Sequence, residues 1–160
     1  MGSQGIPSLG IWKIVQMDGH AGFFPIIPRS GEAIFEAQRV FSETLHEFDL
    51  PRFHTALTLP VHWHSFAFQM IFAPPISRSD PEHNARMHQA MLKMIDEAAA
   101  HGWGDYRAAP IYPDAVANTY FFADHVLRRF NEHLKDAVDP NGILAPGRGG
   151  VWPRRFRREK

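Results

Sequence analysis

The feature that most constrains this fold is a long amphipathic helix expected in the second half of the chain. Asp80 can cap its start, Pro81 suits its first position, and Glu82 places an acid in its first turn. Gly102 is a natural stop. The apolar side chains recur every three or four residues and therefore share one face: Met87, Ala90, Met91, Met94, Ile95 and Ala98. A helix of this kind must bury that face against a sheet or a second helix.

The first half of the chain provides both partners. Ser30 can cap a second helix over residues 32–48, whose apolar positions are Ile34, Ala37, Phe41, Leu45 and Phe48. Residues 23–28 form a short apolar run that predicts a strand. Residues 53–73 are rich in β-forming side chains, with Pro60 forcing a break or bulge.

The last third of the chain predicts one more strand and one more helix. The strand covers residues 106–109, and a turn from Pro110 to Pro113 follows it. Asp124 can cap the helix, which ends where Asp139 precedes a proline. Its apolar residues are expected to face inward: Leu127, Phe130, Leu134 and Val138.

The order of these elements predicts an α+β fold in which helices pack on one face of an antiparallel sheet. A length of 160 residues suits one domain. The chain has neither a glycine-rich dinucleotide fingerprint nor a phosphate loop. No apolar run is long enough to span a membrane, and the start lacks a secretory signal pattern, so we expect a cytoplasmic protein without a membrane partner.

Charge and cysteine content exclude several function classes. Basic and acidic residues number 17 each, so no overall positive charge favours nucleic acid. The absence of cysteine excludes disulfides, thiolate catalysis and cysteine-based zinc sites. His62 and His64 alternate along a strand and could share a metal, but no third ligand stands at a suitable spacing. We therefore predict no metal site, although a histidine-rich metal-binding domain stays as an alternative.

The dipeptide Tyr106-Arg107 is the best candidate for chemistry. A phenol hydroxyl donates one hydrogen bond, and a guanidinium donates two with fixed geometry and permanent charge. Together they form a receptor for an anionic oxygen. Stabilising a phenolate raises electron density at its para carbon, which favours loss of hydride from the substituent there.

The segments around this dipeptide resemble a family signature. Residues 102–107 (Gly-Trp-Gly-Asp-Tyr-Arg) and 139–147 (Asp-Pro-Asn-Gly-Ile-Leu-Ala-Pro-Gly) are similar to the carboxyl-terminal part of the vanillyl-alcohol oxidase and p-cresol methylhydroxylase family of flavoenzymes. The resemblance extends over residues 4–153. It implies FAD as cofactor and hydride transfer from the benzylic carbon of para-substituted phenols, lignin-derived aromatics among them, to give a quinone methide.

The resemblance also implies that this chain is one part of a longer enzyme. Residues 1–102 correspond to a portion of the substrate (cap) domain, and residues 103–160 to a segment that returns to the FAD-binding domain. The missing N-terminal FAD-binding domain is then a partner, and the chain alone is expected to be inactive. The electron acceptor, oxygen or a cytochrome, and any homo-oligomer stay open.

Site residues follow from the same resemblance. Tyr106 and Arg107 would be catalytic and grip the phenolate, with Arg107 also facing the flavin. His20 falls where the vanillyl-alcohol oxidase branch bonds a histidine covalently to FAD. The substrate pocket would include Gly22, His64, Ser65 and Phe66.

Three departures from the family pattern bear on the pocket. Gly22 stands where an aromatic residue occurs in the vanillyl-alcohol oxidase branch, which suggests a roomier site. Where relatives commonly carry a His-His pair, this chain has Ser65-Phe66 or, in a shifted register, His64-Ser65. Ala108 and Ala109 replace more polar residues. A non-catalytic α+β module that binds aromatic ligands or a partner chain is therefore an alternative function.

Overall fold

The computed structural model describes residues 19–51, 57–60, 67–72 and 75–157, and the architecture below refers to these residues. The strands are β1 (Gly19–His20), β2 (Ile26–Pro28), β3 (Leu57–Pro60), β4 (Ala67–Ile71) and β5 (Pro75–Ile76). The α-helices are α1 (Gly31–Glu47), α2 (Pro81–Ala100), α3 (Pro113–Thr119) and α4 (Phe122–Val138). Short 3-10 turns cover Arg148–Gly150 and Arg154–Phe156.

The strands pair in antiparallel fashion, which confirms the α+β prediction. β2, β4 and β3 form a three-stranded sheet in that order, and β1 pairs separately with β5. In the larger sheet Ile27 lies opposite Phe68, and Thr58 lies opposite Met70. The described part of the predicted β-rich run is therefore a hairpin of β3 and β4.

One face of this sheet carries the core. Phe23 and Ile27 lie on the same face of one segment because side chains alternate between faces along a strand. Met70 and Phe72 lie on that face of the neighbouring segment, and all four side chains are buried. α1 packs against β2 of this sheet, α2 packs against β5, and the two helices pack on each other. Their buried side chains belong to the same core as those of the sheet. The apolar face predicted for α2 is confirmed, because every one of its six residues is buried. Of the face predicted for α1, Ala37, Phe41 and Leu45 are buried.

Two of the three predicted helix caps, Ser30 and Asp80, are also confirmed. The Ser30 hydroxyl accepts a hydrogen bond from the backbone N–H of Ala33 at 3.0 Å, and the Asp80 carboxylate accepts one from His83 at 2.8 Å. Each bond satisfies a backbone donor that the first helical turn leaves without an intrahelical partner.

Aromatic rings tie the later part of the chain to this core. The Phe41 ring meets the rings of Phe23, Phe72 and Trp103 edge to face, with centroids 5.1, 5.0 and 5.9 Å away. Such pairs contribute beyond their buried area. Trp103 therefore fixes the start of residues 103–107 against elements from the first half of the chain.

The predicted strand over residues 106–109 is wrong. Residues 106–109 are irregular, and the isolated bridge between Pro25 and Asp105 lies just before them. The Asp105 carboxylate accepts the backbone N–H of Arg107, which occupies a donor that a strand would use. The predicted turn ending at Pro113 leads directly into α3, a helix missed although Pro113 and Asp114 are typical of a helix start.

The predictions for α4 are wrong in two respects. Asp124 does not cap the helix: it lies inside the first turn with a left-handed φ of 54°, between Ala123 and His125 in the same conformation. The apolar face does not point inward either, because Leu127, Phe130, Leu134 and Val138 are 53–66% exposed. Among the described residues, α4 is attached through its polar side, so nothing covers its apolar face.

No helix in the described ranges is long and apolar enough to cross a membrane. The same ranges contain no group of three or more side chains suited to hold a metal ion.

Candidate active site

The candidate site begins where two segments far apart in the sequence join. The N–H of Tyr106 donates to the carbonyl of Phe24 at 2.9 Å, and the N–H of Ile26 donates to the carbonyl of Gly104 at 2.9 Å. These bonds place Tyr106 and Arg107 next to the chain leading into β2. The Tyr-Arg dipeptide therefore sits on a backbone that the core holds in place.

Asp105 holds the two segments together through its side chain. One carboxylate oxygen accepts from the N–H of Phe24 at 3.1 Å and from the N–H of Arg107 at 3.2 Å. Burial raises the pKa of this carboxyl, while the two backbone hydrogen bonds act in the opposite direction. The carboxylate thus fixes the backbone on both sides of Tyr106.

Because Gly104 has no side chain, Tyr120 can approach closely and make a second contact that holds this segment. The Tyr120 hydroxyl donates to the carbonyl of Asp105 at 3.4 Å, and a Cβ at position 104 would lie 2.4 Å from that hydroxyl. A larger residue at position 104 would push the tyrosine away. Burial raises the pKa of Tyr120, and the nearby Asp105 charge adds to the effect.

A second loop, residues 139–149, forms the opposite side of the site. The buried Asp139 carboxylate accepts the N–H groups of Ile143 and Leu144, each at 2.9 Å, and pairs with Lys135 at 2.7 Å. The Lys135 hydrogen bond and these backbone bonds lower the pKa of Asp139 to about 2. One carboxylate therefore folds the loop back against the end of α4.

The far end of this loop packs on an indole ring. Gly147 has a left-handed φ of 79°, and a Cβ there would lie 2.5 Å from the Trp152 ring. The indole N–H in turn donates to Asp114 on α3 at 2.9 Å. Asp114 also accepts from Arg128 on α4 at 3.0 Å. The loop, α3 and α4 are thereby joined around one tryptophan.

These parts surround a cleft of about 550 Å³. The two sequence segments singled out at the start meet here, although more than 30 residues separate them in the chain. Tyr106 is 64% exposed. Within the described residues the Arg107 guanidinium has no ion-pair partner, so its charge is available to a ligand. The cleft is lined by Tyr106, Arg107, Ala108, Pro110, Ile111, Pro113, Asp114, Ala145, Pro146, Gly147, Arg148, Gly149 and Trp152.

Comparison with known proteins identifies relatives that act on phenols. A 4-ethylphenol oxidase from Gulosibacter chungangensis, solved in complex with isoeugenol, is 31% identical and superposes with a TM-score of 0.76 over 87% of this chain. The crystal structure of p-cresol methylhydroxylase with substrate bound is 27% identical, with a TM-score of 0.72 over 84% of this chain. The flavoprotein subunit of 4-cresol dehydrogenase from Pseudomonas putida is 27% identical over 150 residues, or 92% of this chain.

Over most of its length the chain matches members of the vanillyl-alcohol oxidase and p-cresol methylhydroxylase family. It spans about a quarter of the length of these relatives: 27% of the curated protein, and 26% and 24% of the two solved chains. No protein-family model matches it.

The structure brings together some of the site residues predicted from this family and not others. Tyr106 and Arg107 line the same cleft. The His20 backbone lies in β1 opposite Pro75, and its side chain is outside the described part of the chain. Gly22 does not line this cleft, and a Cβ there would lie 2.4 Å from the Phe24 ring. His64, Ser65 and Phe66 fall outside the described residues.

Several residues that shape the site escaped the sequence reasoning. From the sequence, Asp105 stands out only as part of the Gly-Trp-Gly-Asp-Tyr-Arg motif, and no site role is predicted for Asp114, Arg148 or Trp152. Asp114 had a local signal, since it follows a proline at a helix start. No local signal in the sequence pointed to Trp152, because its partner Asp114 lies 38 residues away in the chain.

Proposed function

We propose that this chain is the carboxyl-terminal part of a flavin-dependent oxidoreductase that oxidises para-substituted phenols by removing hydride from the benzylic carbon. The observation that carries the proposal is the cleft where residues 102–107 and 139–149 meet. Tyr106 lines it together with Arg107, which has no ion-pair partner in the described part of the chain. Relatives whose names specify 4-ethylphenol and cresols match the fold over most of the chain.

Tyr106 and Arg107 are suited to bind a phenolate. The tyrosine hydroxyl donates one hydrogen bond to the phenolate oxygen, and the guanidinium adds charge-assisted donors in a fixed plane. Both residues stabilise negative charge on that oxygen, which pushes electron density towards the para carbon. The hydride then leaves the benzylic carbon with its electron pair, and the phenolate becomes a quinone methide.

The cleft residues fit a flavin beside the phenol. Arg107 lines the cleft, and the carboxylate that lines it as well, Asp114, is bound to Arg128 and Trp152. The planar guanidinium of Arg107 can therefore serve both the phenolate and an electron-rich ring edge. FAD, when bound, supplies the two-electron acceptor for the hydride. We propose His20 as its covalent attachment point, and His64, Ser65 and Phe66 as lining for the phenol; Gly22 does not line the described cleft.

A chimera provides the test. This chain replaces the matching region of the Gulosibacter chungangensis 4-ethylphenol oxidase, and rapid mixing follows flavin reduction by 4-ethylphenol and by its methyl ether, which cannot form a phenolate. We expect reduction by the phenol only. Arg107→Lys keeps the charge but loses the fork, which should cost on the order of 2–4 kcal/mol of transition-state stabilisation. Flavin reduction should then slow roughly a hundredfold.

Arg39→Lys is the matched control, because Arg39 pairs with Glu36 and Glu43 on α1 and does not line the cleft. Equal rates for Arg107→Lys and Arg39→Lys, or equal rates with phenol and ether, would contradict the proposed site. For His20, flavin fluorescence is measured on denaturing gels of the chimera and its His20→Ala variant. Fluorescence that persists in the variant excludes attachment through His20.

A further inference from the structure

The segment over residues 145–150, called the loop wall below, has an unusual backbone. Left-handed conformations interrupt any regular helix or strand, and in alanine they are unfavourable. The residues of the segment with left-handed φ angles, between 39 and 79°, are Ala145, Gly147, Gly149 and Gly150. Contacts with the rest of the fold are therefore needed to hold the loop wall in one shape.

The loop wall takes its position from two such contacts. A Cβ at Gly150 would lie 2.5 Å from the Cβ of Ala117 and 2.9 Å from the carbonyl of Pro113, so this end lies close against α3. Near the other end, a Cβ at Gly147 would lie 2.5 Å from the Trp152 indole. The second contact depends on where the indole lies.

Asp114, the second residue of α3, fixes the position of the indole. Both of its carboxylate oxygens accept from the Trp152 Nε1–H, at 2.9 and 3.1 Å. The Arg128 guanidinium donates to the same carboxylate at 3.0 Å and also to Asn118 at 2.7 Å. These bonds hold the carboxylate in one orientation, so a change at Asp114 would move the indole and the loop wall with it.

The same pair of side chains lies in the cleft. Asp114 and Trp152 line it together with Tyr106 and Arg107, and Arg148 of the loop wall lines it as well. A displaced indole would therefore change the shape of the cleft that carries the proposed phenolate receptor. Small misplacements of a substrate slow reactions that depend on the alignment of the reacting atoms.

We propose that Asp114 is a positioning residue: through the Trp152 indole it fixes the loop wall, and with it the space in which a phenol is aligned for hydride loss. The inference rests on the proposed function, because alignment matters only if a phenol reacts in this cleft. Loss of Asp114 leaves Tyr106 and Arg107 in the chain, so it should slow hydride transfer more than it weakens phenol binding.

The first experiment measures flavin reduction in the chimera by rapid mixing with increasing concentrations of 4-ethylphenol. Asp114→Ala should lower the limiting rate at least roughly tenfold and change the apparent Kd of the phenol by no more than about threefold. Asp114→Asn keeps an oxygen that can accept the indole N–H but loses the charge that binds Arg128. Its limiting rate should lie between those of Asp114→Ala and the unsubstituted chimera.

Asp80→Ala is the matched control for loss of a structural carboxylate. Asp80 also accepts a backbone hydrogen bond, but it lies at the start of α2 and does not line the cleft. The limiting rate of Asp80→Ala should match that of the unsubstituted chimera. An Asp114→Ala chimera that reduces its flavin as fast as Asp80→Ala would overturn the proposal.

A double-mutant cycle tests whether Asp114 acts through the indole. Trp152→Phe keeps an aromatic ring beside Gly147 but removes the N–H that the carboxylate accepts. Adding Asp114→Ala to Trp152→Phe should slow flavin reduction by no more than about twofold further, because the shared contact is already lost. Effects that multiply instead would mean that Asp114 acts independently of Trp152, which contradicts the proposal.

The second experiment follows the loop wall in the 160-residue chain and requires no activity. The Gly147 and Gly150 amides donate to the carbonyls of Val151 and Gly147, each at 3.0 Å, and NMR measures their hydrogen exchange. Asp114→Ala should make both amides exchange at least roughly tenfold faster, because the wall opens more often. Asp80→Ala should leave both rates unchanged.

Unchanged exchange of these amides in Asp114→Ala would show that the wall does not depend on the carboxylate, and the proposal would fail. Faster exchange, together with an unsubstituted chimera that reduces no flavin with phenols, would support the hold of Asp114 on the loop wall. That pair of results would contradict only the proposed function.

Discussion

At the residue scale, Asp105 links the Tyr-Arg dipeptide to the core. Its carboxylate is the acceptor shared by the N–H groups of Phe24 and Arg107. Asp105→Ala leaves both donors without this partner, and we expect the free energy of unfolding to fall by about 1–3 kcal/mol. Urea denaturation of the 160-residue chain measures it. Asp96→Ala, an exposed aspartate on α2, should change stability by no more than about 0.5 kcal/mol.

Asp139 gives a prediction for pH dependence. Its pKa is about 2 in the folded chain against 3.8 for an unperturbed aspartate. The unfolded state therefore binds the proton more readily, and the stabilising contribution is complete above about pH 4 and lost as the pH falls through about 2. Asp139→Asn should reduce the acid sensitivity of the unfolding free energy over this window.

The measurement is urea unfolding at several pH values between 2 and 6, with Asp96→Asn as control. Other carboxylates also contribute to acid unfolding, so the difference between the two variants is the readout. An Asp139→Asn variant that loses stability with the same pH slope as Asp96→Asn would remove Asp139 as the acid-sensitive group.

At the element scale, the loop over residues 139–149 depends on contact with Trp152. Gly147→Ala destabilises the fold in two ways. The alanine must adopt a left-handed φ, which costs about 1–2 kcal/mol of folding free energy. Its Cβ would also lie 2.5 Å from the Trp152 indole. Gly149 is a matched control, because its φ is also left-handed at 63° but a Cβ there meets nothing within 4 Å. Gly147→Ala should destabilise the chain more than Gly149→Ala and shift the tryptophan fluorescence. Equal effects would mean that the indole contact contributes nothing.

Sequence periodicity predicted the two helices that pack on the core. In α1 and α2 the apolar spacing, the caps at Ser30 and Asp80, and the buried faces agree, because local preference and tertiary packing point the same way. Residues 106–109 failed as a strand because the Asp105 side chain takes a backbone donor. The same apolar spacing in α4 predicted a face turned inward, and this prediction was wrong because the face is exposed among the described residues. Apolar spacing shows which residues share a face but not where a covering surface lies.

The candidate site was predicted only in part for a related reason. Tyr106 and Arg107 could be chosen from a motif, but their setting comes from residues 24, 114 and 152, which are distant in the chain. No local pattern connects a tryptophan to an aspartate 38 residues earlier. Contacts of this kind follow from the packed core, which the sequence pattern does not specify.

At the scale of the whole molecule, we expect the 160-residue chain alone to oxidise no phenol. It carries the cleft with Tyr106 and Arg107 but spans only about a quarter of the length of its relatives. The purified chain, mixed with FAD and 4-ethylphenol, should show neither bound flavin absorbance nor product, whereas the chimera should show both. Turnover of 4-ethylphenol by the isolated chain would contradict the proposal that the site needs a further part of the enzyme.

The bond between Phe24 and Asp105 also bears on the order in which the chain folds. These two residues are 81 positions apart, while the β3–β4 hairpin and the helices form from neighbours in sequence. Closing so long a loop is entropically costly, and contacts of high sequence separation slow folding. We therefore expect the helices and the hairpin to assemble first and Trp103 to dock afterwards. The segment that carries Tyr106 and Arg107 would be among the last parts of the chain to fold.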